Sequence, residues 1–404
     1  MDNSKRIFLT IIGVTLLSFI LLGIFVYNYF NSEKTITASG VEEVDFSSYT
    51  EKTLDAEGAK TSITSGGVYT ISDQTIEGYI YINTTENVKL ILNNVTITNT
   101  SGPAIYVENV DNLYIELQGE NTINANGSEE LHAAIYSKDD VKILGDGTLN
   151  ITSDLDGIFV NNDLEIESGT ISITSGDDGI VGDDSILIAG GTINVSSAGD
   201  SIKSDGIITI ESGNLDLTSE DDGIHADGMI EINNGKINIK ALEGIEATYV
   251  KINGGTITIS ASDDGINATN KSTDYSVKVE INGGDLTINM GQGDTDGIDS
   301  NGDLTITGGT INVTGQSAFD YDGTLTHTGG TLIVNGEETN EITNQFGGGM
   351  NNMGRGGKMP NDGNTPPSDG NDPTQNGDTP PEKPSDDNKQ GRRTDNQRQN
   401  KKEA

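Results

Sequence analysis

The chain contains no cysteine and no tryptophan. Neither a disulfide framework nor a thiolate metal centre is open to it. The lack of cysteine does not fix a compartment, because secreted bacterial proteins often do without it. Aromatic residues make up 5% and hydrophobic residues 32% of the 404 positions, which is poor for an ordinary globular core. Arginine is missing from residues 7–354, and seven of the eight prolines follow residue 359, leaving only Pro103 in the body of the chain. Between these gaps no helical periodicity is found.

Glycine, at 52 residues, and acid are abundant. The formal charge is −40, and the excess of Asp and Glu lies within 31–346, while the tail from 347 is neutral. So acidic a surface repels nucleic acid and anionic lipid, and its natural partners are metal cations. No nucleic-acid partner is expected, and a monomer is.

Residues 7–30, IFLTIIGVTLLSFILLGIFVYNYF, hold no charge, and Lys5 and Arg6 lie in the basic flank at 1–6. A run of about 20 apolar residues suffices to span a bilayer. The basic flank predicts an N-inside membrane anchor, with a cleaved signal peptide as the rival reading. Either way the acidic domain ends up outside the cell membrane. Residues 31–60 read as a polar lead-in. Residues 346–404, rich in Gly, Pro, Asn and Asp, read as a disordered tail.

Between 61 and 345 the chain repeats. A glycine turn followed by a short strand recurs as ESGTISI, AGGTINV, ESGNLDL, NNGKINI, NGGTITI and TGGTLIV. The marker glycines are Gly147, Gly169, Gly191, Gly213, Gly235, Gly255, Gly284, Gly309 and Gly330. A period of 20–30 residues with β-branched side chains predicts an all-β, parallel β-solenoid of about a dozen coils. In 186–206, Ile186 and Ile188, then Ile193 and Val195, then Ile202 mark three short strands whose alternation sends apolar residues inward.

The position two before the third-strand Ile forms a column. It reads Pro103, Ala133, Asp156, Asp178, Asp200, Asp222, Glu243, Asp264, Asp296 and Ser317. Asp177, Asp221, Asp263 and Asp294 flank it. Stacked carboxylates about 5 Å apart repel by roughly 1 kcal/mol in water and ~3 at an effective dielectric near 20. Lysine is scarce beyond Lys203, and arginine is absent, so cations are expected to neutralise the column. Hard oxygen donors suit Ca2+. The three histidines, His132, His225 and His327, lie far apart in sequence, which disfavours zinc. A solvated edge screened by diffuse ions is the plainer alternative.

The Gly-Gly-Thr-Ile turns, the Asp-Asp-Gly-Ile copies at 177–180, 221–224 and 263–266, the opening VKLILNNVTITNTSGPAIYVENVDN (88–112) and GGGMNNMGRGG resemble the clostridial-type carbohydrate-binding β-helix family of cell-surface proteins. The resemblance covers about residues 61–355. It implies a pectate-lyase-like, right-handed β-helix with bound calcium. It also implies binding of cellulose and of acidic sugars such as polygalacturonate, without known catalysis. The Asp-Gly-Ile aspartates Asp178, Asp222, Asp264 and Asp296 match that pattern, whereas Glu243 departs from it.

Parallel β-helices also host lyases, so fold alone leaves a calcium-dependent polysaccharide lyase open. Such a lyase needs a base, and Lys203 is the remaining candidate, with ion pairing as its plainer role. A structural adhesin rod is a third reading. The residue after each third-strand Ile runs Tyr106, Tyr136, Phe159, Val181, Lys203 and His225. Outward-facing aromatics there could carry sugar rings, and Lys203 and His225 would line the same groove. An aromatic ladder that only stabilises the stack is the alternative.

Overall fold

A computed structural model describes residues 40–342 and Ala38, apart from Glu57 and 292–294. It is a right-handed parallel β-solenoid of about twelve turns. Each coil has three short strands. The first face runs from Lys60–Ile63 through Ile202–Ser204 to Ser317–Tyr321. The second runs from Glu51–Thr53 through Ile207–Ile210 to Leu325–His327. The third runs from Thr75–Glu77 through Thr192–Ser197 to Thr331–Val334, where Glu337–Thr339 closes it antiparallel. Faces one and two merge into one sheet because Ile224–Ile232 and Ile245–Ile252 run unbroken round their shared corner.

The repeat positions land where alternation places them. Ile186, Ile188, Ile193 and Ile202 are fully buried and Val195 nearly so. Burying each such side chain contributes about 1.5–3 kcal/mol, so five per coil suffice for a narrow core. Register is kept from coil to coil: Ile180 pairs with Ile202, and Ile202 with Ile224. The marker turns hold glycine for a backbone reason. Gly191 has φ 90°, and a Cβ there would meet the Gly169 carbonyl oxygen at 2.9 Å. The positive φ continues from Gly169 to Gly330, but in the first marker turn it falls on Gly145, not Gly147.

The segment read as a lead-in contributes to the solenoid. It lies along the outward row of face two, which runs Lys89, Tyr114, Lys142, Glu165, Leu187 and Thr209. The Ala38 N–H donates to Thr209 Oγ1 at 3.0 Å, Val41 N–H to Glu165 Oε2 at 2.9 Å, and Val44 N–H to the Tyr114 hydroxyl at 3.0 Å. Phe46 packs edge-on against Tyr114, with centroids 5.0 Å apart. Beneath this strap Lys142 is 2% exposed. Its ammonium meets Glu43, Glu165 at 3.1 Å and Glu167 at 2.8 Å. Burial alone would lower the Lys142 pKa, but the three carboxylates overcome it and raise the pKa, so the charge is kept.

The expected membrane-spanning segment is corrected here. No helix among the described residues is long and apolar enough to cross a membrane. The physical reason is that the described residues place their apolar side chains in alternating strands of at most nine residues, too short to form a spanning helix. The one helix described is the three-residue 3-10 turn Phe46–Ser48. Residues 7–30, on which the expectation fell, lie outside the described residues, as does the tail 346–404. The membrane, expected as a partner through that segment, is dropped with it.

Removing one partner of a buried ion pair costs about 3–5 kcal/mol. Lys142→Ala is therefore expected to lower the unfolding midpoint markedly, because three carboxylates lose their shared cation. A midpoint equal to wild type would show that the strap lock contributes nothing.

Candidate functional site

The acidic column lies at the turn from face three to face one. The small residue before each third-strand Ile marks a tight passage there. A Cβ on Gly179 would meet Val195 Cγ1 at 2.4 Å and the Ser201 carbonyl oxygen at 2.6 Å. Glycine at this point lets the backbone close onto the next coil, which brings the preceding Asp under its neighbours. Asp178 and Asp222 are consequently buried, and Asp200, followed by the buried Ser201 in place of glycine, is buried as well.

Asp156, Asp178 and Asp200 each cap the next coil. Asp178 N–H donates to Asp156 Oδ1 at 3.1 Å, Asp200 N–H to Asp178 Oδ1 at 2.8 Å, and Asp222 N–H to Asp200 Oδ1 at 3.0 Å. Further along, Asp296 N–H donates to Asp264 Oδ1 at 2.9 Å. The column thus has a structural task that its spacing did not reveal: it satisfies buried backbone donors that the turn leaves without strand partners.

The second carboxylate oxygens meet basic side chains. His132 Nδ1 lies 2.6 Å from Asp156 Oδ2. Lys203 Nζ sits between Asp178 Oδ2 at 3.1 Å and Asp200 Oδ2 at 3.0 Å. His225 Nδ1 lies 2.7 Å from Asp222 Oδ2 and 3.0 Å from Glu246 Oε2. Lys271 reaches Glu246 at 2.9 Å. The column is therefore better supplied with cations than lysine and arginine counts suggested. Lys203 and His225 belong to the outward row of face one, and row and column converge at the corner.

Charge and burial compete here, and the outcome varies along the column. Burial lowers the pKa of Lys203, but Asp200 and Asp178 outweigh it and hold it above the usual lysine value. Burial likewise disfavours charged His225, yet Asp222, Asp227 and Glu246 push it up to about 11, so it is an imidazolium. Glu243 forms no ion pair among the described residues, and Lys271 acts on it only at longer range. Burial first, then Glu246, Asp222 and Asp264, push it up to about 8 against the hydrogen bond from Asn267 at 3.0 Å. Asp299 is pushed to about 7 by burial and by Asp264, Asp320 and Asp296.

Three acidic groupings along the column have ligand atoms within 4.8 Å of one another. They are Asp156–Asp177–Asp178, Asp200–Asp222–His225 and Asp222–Glu243–Glu246. A fourth, Glu43–Glu165–Glu167, is filled by Lys142. Of the expected ligands, Asp156, Asp177, Asp178, Asp200, Asp222 and Glu243 are brought together. Asp221 and Asp263 are exposed and join none of these groupings, nor do Asp264 and Asp296, and Asp294 lies outside the described residues. Sequence reasoning missed Glu246, although extending the outward row one coil past His225 reaches it directly. It also set aside histidine, whereas His225 stands within a donor set.

The aromatic expectation divides. Tyr81, Tyr106, Tyr136, Phe159 and Val181 form one row in register. Tyr136 and Phe159 stack with centroids 5.1 Å apart, and His132 packs edge-on against Phe159 at 4.5 Å. Both rings are under 10% exposed, covered with Leu131 and His132, so they serve as a ladder. Tyr106 and Tyr81 remain part exposed, with centroids 5.5 Å apart. Lys60 Nζ lies 3.6 Å from the Tyr81 ring centroid.

A family model described as carbohydrate-binding domain-containing protein matches residues 57–295 and 241–346. A protein of the same description from Acetivibrio thermocellus is 31% identical over 120 residues, covering 26% of this chain and 42% of the relative. The match thus spans less than half of that relative's length. A solved structure titled as the polysaccharide lyase-like protein from C. thermocellum, a gadolinium derivative, aligns at 24% identity with a TM-score of 0.39. The alignment covers 71% of this chain and 94% of that one.

If the column carboxylates act as caps, Asp200→Ala should cost about 1–3 kcal/mol by orphaning the buried Asp222 N–H. Asp200→Asn keeps an acceptor oxygen and should cost less. Equal melting temperatures for the two variants would contradict the capping role.

Proposed function

Because the chain belongs to the family of carbohydrate-binding domain-containing proteins, we propose that its solenoid binds polysaccharide outside the cell without acting as an enzyme, and is stabilised by Ca2+. The observation that carries the sugar reading is the open aromatic end of face one. Tyr81 and Tyr106 offer part-exposed rings on consecutive coils. Sugar C–H faces pack on such rings, and Lys60 stands beside them to meet a uronate carboxylate. Acidic polysaccharide such as polygalacturonate fits this end better than the bare acidic surface elsewhere, and a cellulosic chain can stack on the same rings.

The donor chemistry fits calcium. Asp156, Asp177 and Asp178 would hold one ion, and Asp222, Glu243 and Glu246 another. The elevated Glu243 pKa marks a carboxylate lacking the positive charge that Lys203 and His225 give its neighbours. When bound, calcium supplies that charge and strengthens the stack.

Lys203 supports the non-catalytic reading. A lyase base must be neutral to accept a proton, and Lys203 is clamped between two carboxylates with its pKa raised.

Retention of the protein on polygalacturonate and on cellulose tests the reading. Wild type should be retained, and Tyr106→Ala should weaken binding by about tenfold, the ~1.4 kcal/mol of one good contact. Unchanged retention by Tyr106→Ala would remove the aromatic end from the site. Steady formation of unsaturated uronate, read by ultraviolet absorbance, would overturn the non-enzyme reading.

A further inference from the structure

The three faces differ in what their outward sides are free to do. Face two is crossed by the strap from Thr209 to Tyr114. The outward row of face one is a buried ladder at Tyr136 and Phe159 and is ion-paired at Lys203 and His225. Face three differs from both. Its strands Thr148–Ser153, Thr170–Ser175 and Thr192–Ser197 repeat one burial pattern, with three outward side chains each left exposed or half-buried.

We propose that face three is a second binding surface, and that it takes a neutral, hydroxyl-rich polysaccharide chain lying along the solenoid axis. The proposal rests on the carbohydrate reading above and assigns it a separate location.

Three observations carry it. The first is register: Thr148, Thr170 and Thr192 align, as do Asn150, Ser172 and Asn194, and Thr152, Thr174 and Ser196. These rows continue without a bulge into Asn214, Asp216 and Thr218. Equivalent side chains therefore recur at the strand spacing of about 4.8 Å, close to the advance of one ring in a β-linked pyranose chain. The second is charge. The three strands hold no charged residue in a chain of formal charge −40. Their hydroxyls and amides each donate and accept, as sugar hydroxyls do. An anionic chain gains nothing from such a surface and is repelled by the rest of the molecule, whereas a neutral chain meets no penalty. The third is shape. A shallow, open depression crosses these strands; its walls include Asn150, Thr152, Ser172, Thr174, Asn194 and Ser196, and they take in Asp216 of the next strand as the single charged residue.

The test uses the full chain and two probes, an insoluble neutral β-glucan and polygalacturonate. Two variants are compared with wild type. Thr174→Glu puts a charge at the centre of the surface. The triple variant Asn150→Ala, Ser172→Ala, Asn194→Ala shortens the middle row while leaving the core untouched. Both should melt like wild type, lose about tenfold or more in affinity for the neutral glucan, and keep their retention on polygalacturonate. If wild type binds glucan and both variants bind it equally well, face three is not the surface, while the carbohydrate reading stands. If wild type binds neither polysaccharide, both fall together. Should wild type form a dimer that Thr174→Glu separates, with glucan binding unaltered, the face belongs to a second copy and the proposal is overturned.

Discussion

The structure turns on a stack of buried carboxylates that cannot be left uncompensated. Asp156, Asp178, Asp200 and Asp264 each accept the N–H of the next coil's turn, and a tight glycine passage follows Asp156, Asp178 and Asp264. Removing the acid would orphan the donor, and keeping it concentrates negative charge at one corner. The chain resolves this conflict locally by inserting Lys203, His225 and Lys271 from neighbouring positions, while His132 hydrogen-bonds Asp156. Burial raises Asp178 and Asp222 even beside their cations, Asp222 to about 6, and the shift is larger at Glu243, at about 8, and Asp299, at about 7. The acidic groupings able to coordinate a metal ion are thus the remainder of a capping device.

Much of the architecture was legible because a solenoid repeats its constraints. Ile186, Ile193 and Ile202 had to point inward on three sides, and the marker glycines had to recur at one corner. The column was legible for the same reason, since one coil length separates Asp178, Asp200 and Asp222. What each carboxylate does was not legible. Whether Oδ1 reaches the next N–H depends on how closely successive turns approach, and no spacing states that. Partners that break the repeat were hidden as well. His132 comes from the irregular stretch before Ala133, and Lys271 from the longer loop before Lys278. The strap escaped notice because residues 40–56 lack periodicity and find their places only against an already formed face two.

The same distinction explains the aromatic row. Alternation correctly turns Tyr136 and Phe159 outward, but outward does not mean exposed once Leu131 and His132 fold over them. The three faces thus divide their tasks: face two is locked by the strap, face one balances charge beside an aromatic end, and three middle strands of face three present an uncharged array. A chain so acidic can approach an anionic polysaccharide only through surfaces where its own charge is hidden or matched.

Calorimetric titration of calcium into the metal-stripped protein, with thermal unfolding followed before and after, tests the central claim most directly. Wild type should take up calcium and melt at a higher temperature, because the ion binds only the folded stack. Glu243→Gln should lose one ion of that uptake while keeping the fold. No heat of binding and an unshifted melting curve in wild type would contradict the claim that the column's unmatched carboxylates await a cation.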